Sequence, residues 1–158
     1  MNDIAKSSPS SEHAVFTIER RLAAAPARVY AAFAEAQAKN QWFARGEDLT
    51  LLRNDFDFRI GGEENVHGRW KSGMVSKFHA IYCDVVPERR IVYVYDMHLD
   101  ERKISVSLAT VEFEPDGEGT RLRVTEQGAF LDGYNDAGAR EQGTNKLMDV
   151  LARSLETH

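Results

Sequence analysis

Few residues of this 158-residue chain are placed to do chemistry, and Glu126 stands out among them. It follows Leu122 and Val124 at a spacing of two, the alternation of a strand with one apolar face. If Leu122 and Val124 point into a core, Glu126 points there too. A carboxyl group in such a place loses its hydration, which raises its pKa unless a donor satisfies it. It could hold a ligand hydroxyl or amine, or act as a general acid or base. Placed instead at a sheet edge beside an arginine or a backbone N–H, it would serve structure alone.

The other reactive types are scattered. His67, His79 and His98 fall on separate strands or loops without metal-ligand spacing. Asp96 and His98 share a face by alternation, but two residues do not make a metal site, and no metal is expected. Ser105 and Ser107 lack a Gly-x-Ser-x-Gly elbow or a nearby base. Gly61-Gly62 lies between strands and reads as a turn rather than a phosphate cradle, so no cofactor is expected. The single cysteine, Cys83, reads as a buried strand thiol without a redox role. One thiol makes neither an internal disulfide nor a cysteine zinc site, which points to a reducing, cytoplasmic setting.

These residues must be positioned by elements that the pattern partly predicts. Met1 to His13 is polar and serine-rich and reads as a disordered tail before one domain, residues 14–158. Val15 to Arg21 reads as a strand. Ala25-Pro26 opens a helix carrying Val29, Tyr30 and Phe33 on one face. A second short helix is expected from about Ala36 to Phe43. Strands and turns follow: Phe56-Asp-Phe-Arg-Ile60, Phe78 to Val86, Ile91 to Met97, Ile104 to Phe113 and Thr120 to Gln127. Turns this short force antiparallel pairing. The last segment, from about Asn135 to Glu156, is helical, with Asn135 or Asp136 as its cap. The fold class is therefore α+β: a curved antiparallel sheet of about six or seven strands around a long C-terminal helix. That helix is the one element long enough to cover the sheet.

The covering helix is uneven. Its first half offers Ala137, Gly138, Ala139 and Gly143, and its second Leu147, Met148, Val150, Leu151 and Leu155. Small residues at one end and bulky ones at the other predict a core at one end and a cavity at the other. Trp42, Trp70, Phe78, Tyr93, Tyr95, Met97, Phe130 and Tyr134 are large enough to line it, beside Gly143, Leu147 and Glu126. Such residues also fill cores, so about half are expected to touch the cavity. In Ile104 to Phe113 the apolar parity flips, from Ile104, Val106 and Leu108 to Val111 and Phe113. This predicts a β-bulge near Ala109-Thr110 that keeps both sets inward. The alternative, a regular strand, puts Ile104, Val106 and Leu108 on the outer face and implies a homodimer.

Several segments together resemble the START-like (SRPBCC, Bet v 1-like) superfamily, and within it the family named for the activator of the Hsp90 ATPase. They are Ala25-Pro-Ala-Arg-Val-Tyr30, Gln41-Trp-Phe-Ala44, Phe58-Arg-Ile-Gly-Gly62, Val86 to Tyr93, Thr110 to Leu122 and Thr125-Glu-Gln-Gly-Ala-Phe130. The resemblance implies the helix-grip fold, usually with a cavity. Two positions depart from the family pattern. Gly143-Thr144 stands where many members have Gly-Trp, and Glu126 lies near a common histidine.

The net charge of −5, with no cluster of Lys or Arg, argues against nucleic acid as a partner. No apolar run reaches the roughly 20 residues needed to span a bilayer, and no signal peptide is seen. The expected function is binding of a small lipophilic or aromatic molecule. A polyketide cyclase/aromatase-like enzyme is one alternative, but it needs a second poised acid–base group that the sequence does not clearly supply. A chaperone-interaction module is the other, and it rests on the family name.

Overall fold

The computed structural model describes residues 8–134 and 137–156. β1 (Ser11–Leu22) is followed by two helices, α1 (Pro26–Ala34) and α2 (Ala36–Lys39). Six strands come next: β2 (Leu49–Phe56), β3 (Glu63–Trp70), β4 (Val75–Val86), β5 (Arg90–Leu99), β6 (Arg102–Asp116) and β7 (Gly119–Leu131). The chain ends in α3 (Ala137–Glu156). The strands form one antiparallel sheet in the order β1-β7-β6-β5-β4-β3-β2. Each hairpin pairs with its sequence neighbour, and β1 closes onto β7, so β1 and β2 are the edges.

One face of this sheet carries the core. Ile18, Val111, Phe113, Leu122 and Val124 point inward and pack with Val29 and Phe33 of α1 and Met148 and Leu151 of α3. Proline at the first position starts α1, where its missing N–H costs nothing. The Trp42 indole donates to the Ala32 carbonyl at 2.8 Å and fixes the segment after α2. Arg20 ties β1 to the middle of α3 by donating to Asn145 and Asp149.

Three places differ from the sequence expectation in ways that shape the site. First, β6 is regular at Ala109-Thr110, which pair with Tyr93 and Val92 on one side and Glu126 and Thr125 on the other. No bulge is needed there, because the inward row is Ser105, Ser107, Ala109, Val111 and Phe113. The parity does not flip: small and hydroxyl side chains continue the inner row while half-buried Val106 and Leu108 take the outer face. The register shifts instead skip Leu52 in β2, Cys83 in β4 and Ile104 in β6, where an extra residue bends each strand. Second, Cys83 is exposed rather than buried, since it alternates with the inward-facing Ala80 and Tyr82 and shares the outer face with Ile81. Third, β3 lacks the β-branched alternation that announces a strand, yet its inner row is Glu64, Val66 and Gly68.

Element ends also move. β1 begins at Ser11, so Ser11 to His13, read as tail, pair with Leu131 to Ala129. α2 stops after one turn at Lys39, short of Phe43, and the chain goes on in turns to Ala44, which adopts a left-handed conformation. Phe58 and Ile60 lie beyond the end of β2, and Ile60 is exposed. Asn135 and Asp136, read as caps of α3, lie outside the described residues.

Candidate functional site

The second half of α3 buries Met148 and Leu151 against the sheet, whereas Gly138, Ala139 and Gly143 of the first half are exposed. Between that half and the sheet, and reaching as far along α3 as Met148 and Val150, lies a cavity of about 620 Å³. Its wall includes Trp42, Trp70, Phe78, Tyr93, Tyr95, Met97, Glu126, Tyr134, Gly143 and Leu147. Phe130, expected beside them, sits behind the wall and is buried. A Cβ on Gly143 would meet nothing within 4 Å, so this stretch of helix leaves open space.

Glu126 is 5% exposed, on an interior strand facing Ala109. It points inward as expected, although the bulge on which that expectation rested is absent. Tyr95 Oη donates to Glu126 Oε1 at 2.6 Å. Arg140, from α3, reaches back to the sheet. Its Nη1 donates to Tyr95 Oη at 3.1 Å and more weakly to Ser107 Oγ at 3.4 Å, and its Nη2 donates to Ser105 Oγ at 2.9 Å. The guanidinium also lies over the rings of Phe130 and Tyr95, at 5.2 Å and 5.7 Å from their centroids. Gly128 makes room for this cluster, since a Cβ there would come within 3.0 Å of Ser107 Oγ and 3.3 Å of the Phe130 ring.

Burial pushes the Glu126 carboxyl above its ordinary value, against the opposing pulls of the Tyr95 hydrogen bond and the Arg140 charge. Burial, reinforced by the neighbouring Glu126, also raises Tyr95, which keeps its proton and donates it. Tyr93, one alternation earlier on β5, is raised by burial as well. Its hydroxyl has no hydrogen-bond partner among the described residues and belongs to the cavity wall. The arrangement can thus clamp a polar group of a bound molecule while the aromatic wall receives its apolar part.

A second polar cluster flanks the same cavity. Lys39 Nζ lies 2.7 Å from Glu64 Oε1 and 3.2 Å from Tyr82 Oη, and Tyr82 Oη donates to the same Glu64 oxygen at 2.6 Å. The ammonium lies over the Phe43 ring at 4.6 Å and near that of Phe56 at 5.1 Å. Burial lowers the Lys39 pKa, partly offset by Glu64. Tyr93 stands between the clusters, in ring contact with Tyr82 on one side and Tyr95 on the other.

Residues 23–156 match the family model described as activator of Hsp90 ATPase homolog 1-like protein. The chain belongs to this family. A putative uncharacterized protein from Rhizobium leguminosarum shares 45% identity with it over 96% of this chain and 99% of that one, with a TM-score of 0.92. Mll3558 from Rhizobium loti shares 41% over 92% and 99%, with a TM-score of 0.86. The AHSA1-like protein from Aeromonas hydrophila, at 19% identity over 90% and 92% and a TM-score of 0.69, shares the fold. No curated protein matches the sequence.

The two departures from the Hsp90-activator-homologue pattern meet in this cavity. Gly143 opens the helix face, Thr144 Oγ1 folds back onto the Arg140 carbonyl at 3.0 Å, and Glu126 lies across from them in the wall. Sequence reasoning missed Arg140, Lys39, Glu64 and Tyr82, and set Ser105 and Ser107 aside for want of a catalytic motif. A signal for Arg140 was available. Arg140, Gly143, Thr144 and Leu147 follow the i, i+3, i+4, i+7 spacing of one helix face. His67, His79 and His98 stay apart from the cavity: His79 approaches Glu63 and Asp96, at 3.0 Å and 3.7 Å. Among the described residues no group of three or more His, Cys, Asp or Glu could hold a metal ion, and no helix is long and apolar enough to cross a membrane.

Proposed function

We propose that this protein binds a small hydrophobic or aromatic molecule in the cavity between the sheet and α3, and does so without transforming it. The observation that supports this reading is the cavity itself. It is within the size range of small-molecule sites, is walled mostly by aromatic and aliphatic side chains, and has two hydrogen-bonded polar groups at its wall, Arg140–Tyr95–Glu126 and Lys39–Glu64–Tyr82. Apolar surface lining such a space gains free energy when a ligand displaces water from it.

The test is native mass spectrometry of freshly purified protein, followed by fluorescence titration with 8-anilinonaphthalene-1-sulfonate. A stoichiometric small molecule, or saturable one-site dye binding, is the expected result. Gly143→Trp should weaken the dye's binding at least tenfold with the circular dichroism spectrum unchanged, because the new ring occupies open space. An empty protein that binds no dye, or dye binding indifferent to Gly143→Trp, would overturn the reading.

A further inference from the structure

The charge of the cavity wall runs opposite to that of the protein. The chain carries a net charge of −5, yet the wall contains four basic residues, Lys39, Arg45, Arg140 and Lys146, and one acidic residue, Glu126. Lys39 is paired with Glu64. The other three have no carboxylate within ion-pair distance among the described residues. Arg45 donates to the carbonyl of Gln41. Arg140 donates to neutral oxygens of Tyr95, Ser105 and Ser107. A guanidinium has five N–H donors in a planar fork and stays charged, so Arg140 keeps donors to spare.

Arg140 is also held in place. Two aromatic rings and two strands fix its head, which lowers the entropy cost of using it as an anchor. The Tyr93 hydroxyl in the same wall has no partner of its own among the described residues. The one acidic residue of the wall, Glu126, has its Oε1 engaged by Tyr95.

We infer that the cavity selects amphipathic carboxylic acids, with the carboxylate of the ligand on Arg140 and its apolar body against the aromatic wall. This deepens the proposed function and rests on it. A fork of N–H donors meeting a carboxylate in a partly desolvated place makes a charge-assisted contact stronger than a neutral one. Arg45 and Lys146 add a positive field in the wall that draws anions in.

The experiment compares matched probes that differ in charge and little in shape: biphenyl-4-carboxylate, its primary amide and biphenyl-4-methylamine, with dodecanoate and dodecanamide as a flexible pair. Affinities are measured by isothermal titration calorimetry at pH 7.5 at low and high salt. The acids are expected to bind at least about tenfold tighter than their amides, and the amine weakest of its set. The preference for acid should shrink at high salt. In Arg140→Gln, checked for folding by circular dichroism, acid and amide should bind alike. Amides equal to or tighter than acids in the unaltered protein would overturn the inference and leave small-molecule binding standing. Failure of every probe, together with the absence of dye binding, would overturn both. The probe series on the unaltered protein decides between these outcomes even if Arg140→Gln does not fold.

Discussion

At the scale of single residues, two glutamates among the described residues, Glu64 and Glu126, are buried with different partners. Glu126 is hydrogen-bonded by Tyr95, and burial raises its pKa above the ordinary 4.5. Between that value and its folded-state value, the native chain holds more protons than the unfolded one. Stability contributed by the neutral carboxyl is therefore present at low pH and lost as pH rises through that window. Glu126→Gln keeps an oxygen for Tyr95 and cannot ionise. Its stability relative to the unaltered protein should rise from about pH 4 upward and then level off, as read from urea unfolding midpoints across the range. Parallel curves for the two chains would show a carboxyl that titrates normally. Glu64 has a cation instead. Lys39→Met leaves that carboxyl buried with only Tyr82, which should cost about 3–5 kcal/mol in the same assay. Lys39→Met combined with Glu64→Gln should recover most of the loss. No recovery would mean that the lysine matters through its packing on Phe43 and Phe56 rather than through charge.

At the scale of elements, the sequence conveyed order and pairing better than it conveyed faces. β5 and β7 were legible because Ile91 to Met97 and Thr120 to Gln127 have strong strand propensity and plain turn residues at their ends. β6 was legible as a strand but not as a surface. Its inner row beneath Arg140 is Ser105, Ser107 and Ala109, which no hydrophobicity pattern marks as inward, while Val106 and Leu108 on the other face mimic a core row. The bulge expected at Ala109-Thr110 came from assuming that inward means apolar. β3 hid for the same reason: Glu64 is 2% exposed and faces inward only because Lys39, one turn into α2, meets it from 25 residues earlier. Both misreadings fall on strands that also reach the cavity wall, β6 through Val111 and β3 through Val66 and Gly68. Polar residues can face inward there because each has found a donor or acceptor from a distant element, and such pairings are invisible to a window of about ten residues. The uneven composition of α3, by contrast, was a local signal that predicted where the hollow lies.

At the scale of the molecule, that unevenness makes an interior filled at one end and open at the other. The filled end joins α1, β1 and the second half of α3 through Ile18, Val29, Phe33, Met148 and Leu151. At the open end, the first half of α3 is tied to the sheet by hydrogen bonds of Arg140 and Asn145, with Gly138, Ala139 and Gly143 contributing no bulk. Local stability follows buried apolar contact, so the two halves of one helix should open at different free energies. Native-state hydrogen exchange is expected to show amides of Met148 to Leu155 protected nearly to the global limit and those around Arg140 to Thr144 exchanging substantially faster. Saturating biphenyl-4-carboxylate should slow the faster set and raise the melting temperature with the logarithm of its concentration, because a ligand held between Arg140 and the sheet supplies the contacts that the small residues omit. Uniform protection along α3 before the probe is added would show that the cavity does not loosen the helix. Probe-induced slowing confined to the filled end would place the ligand away from Arg140.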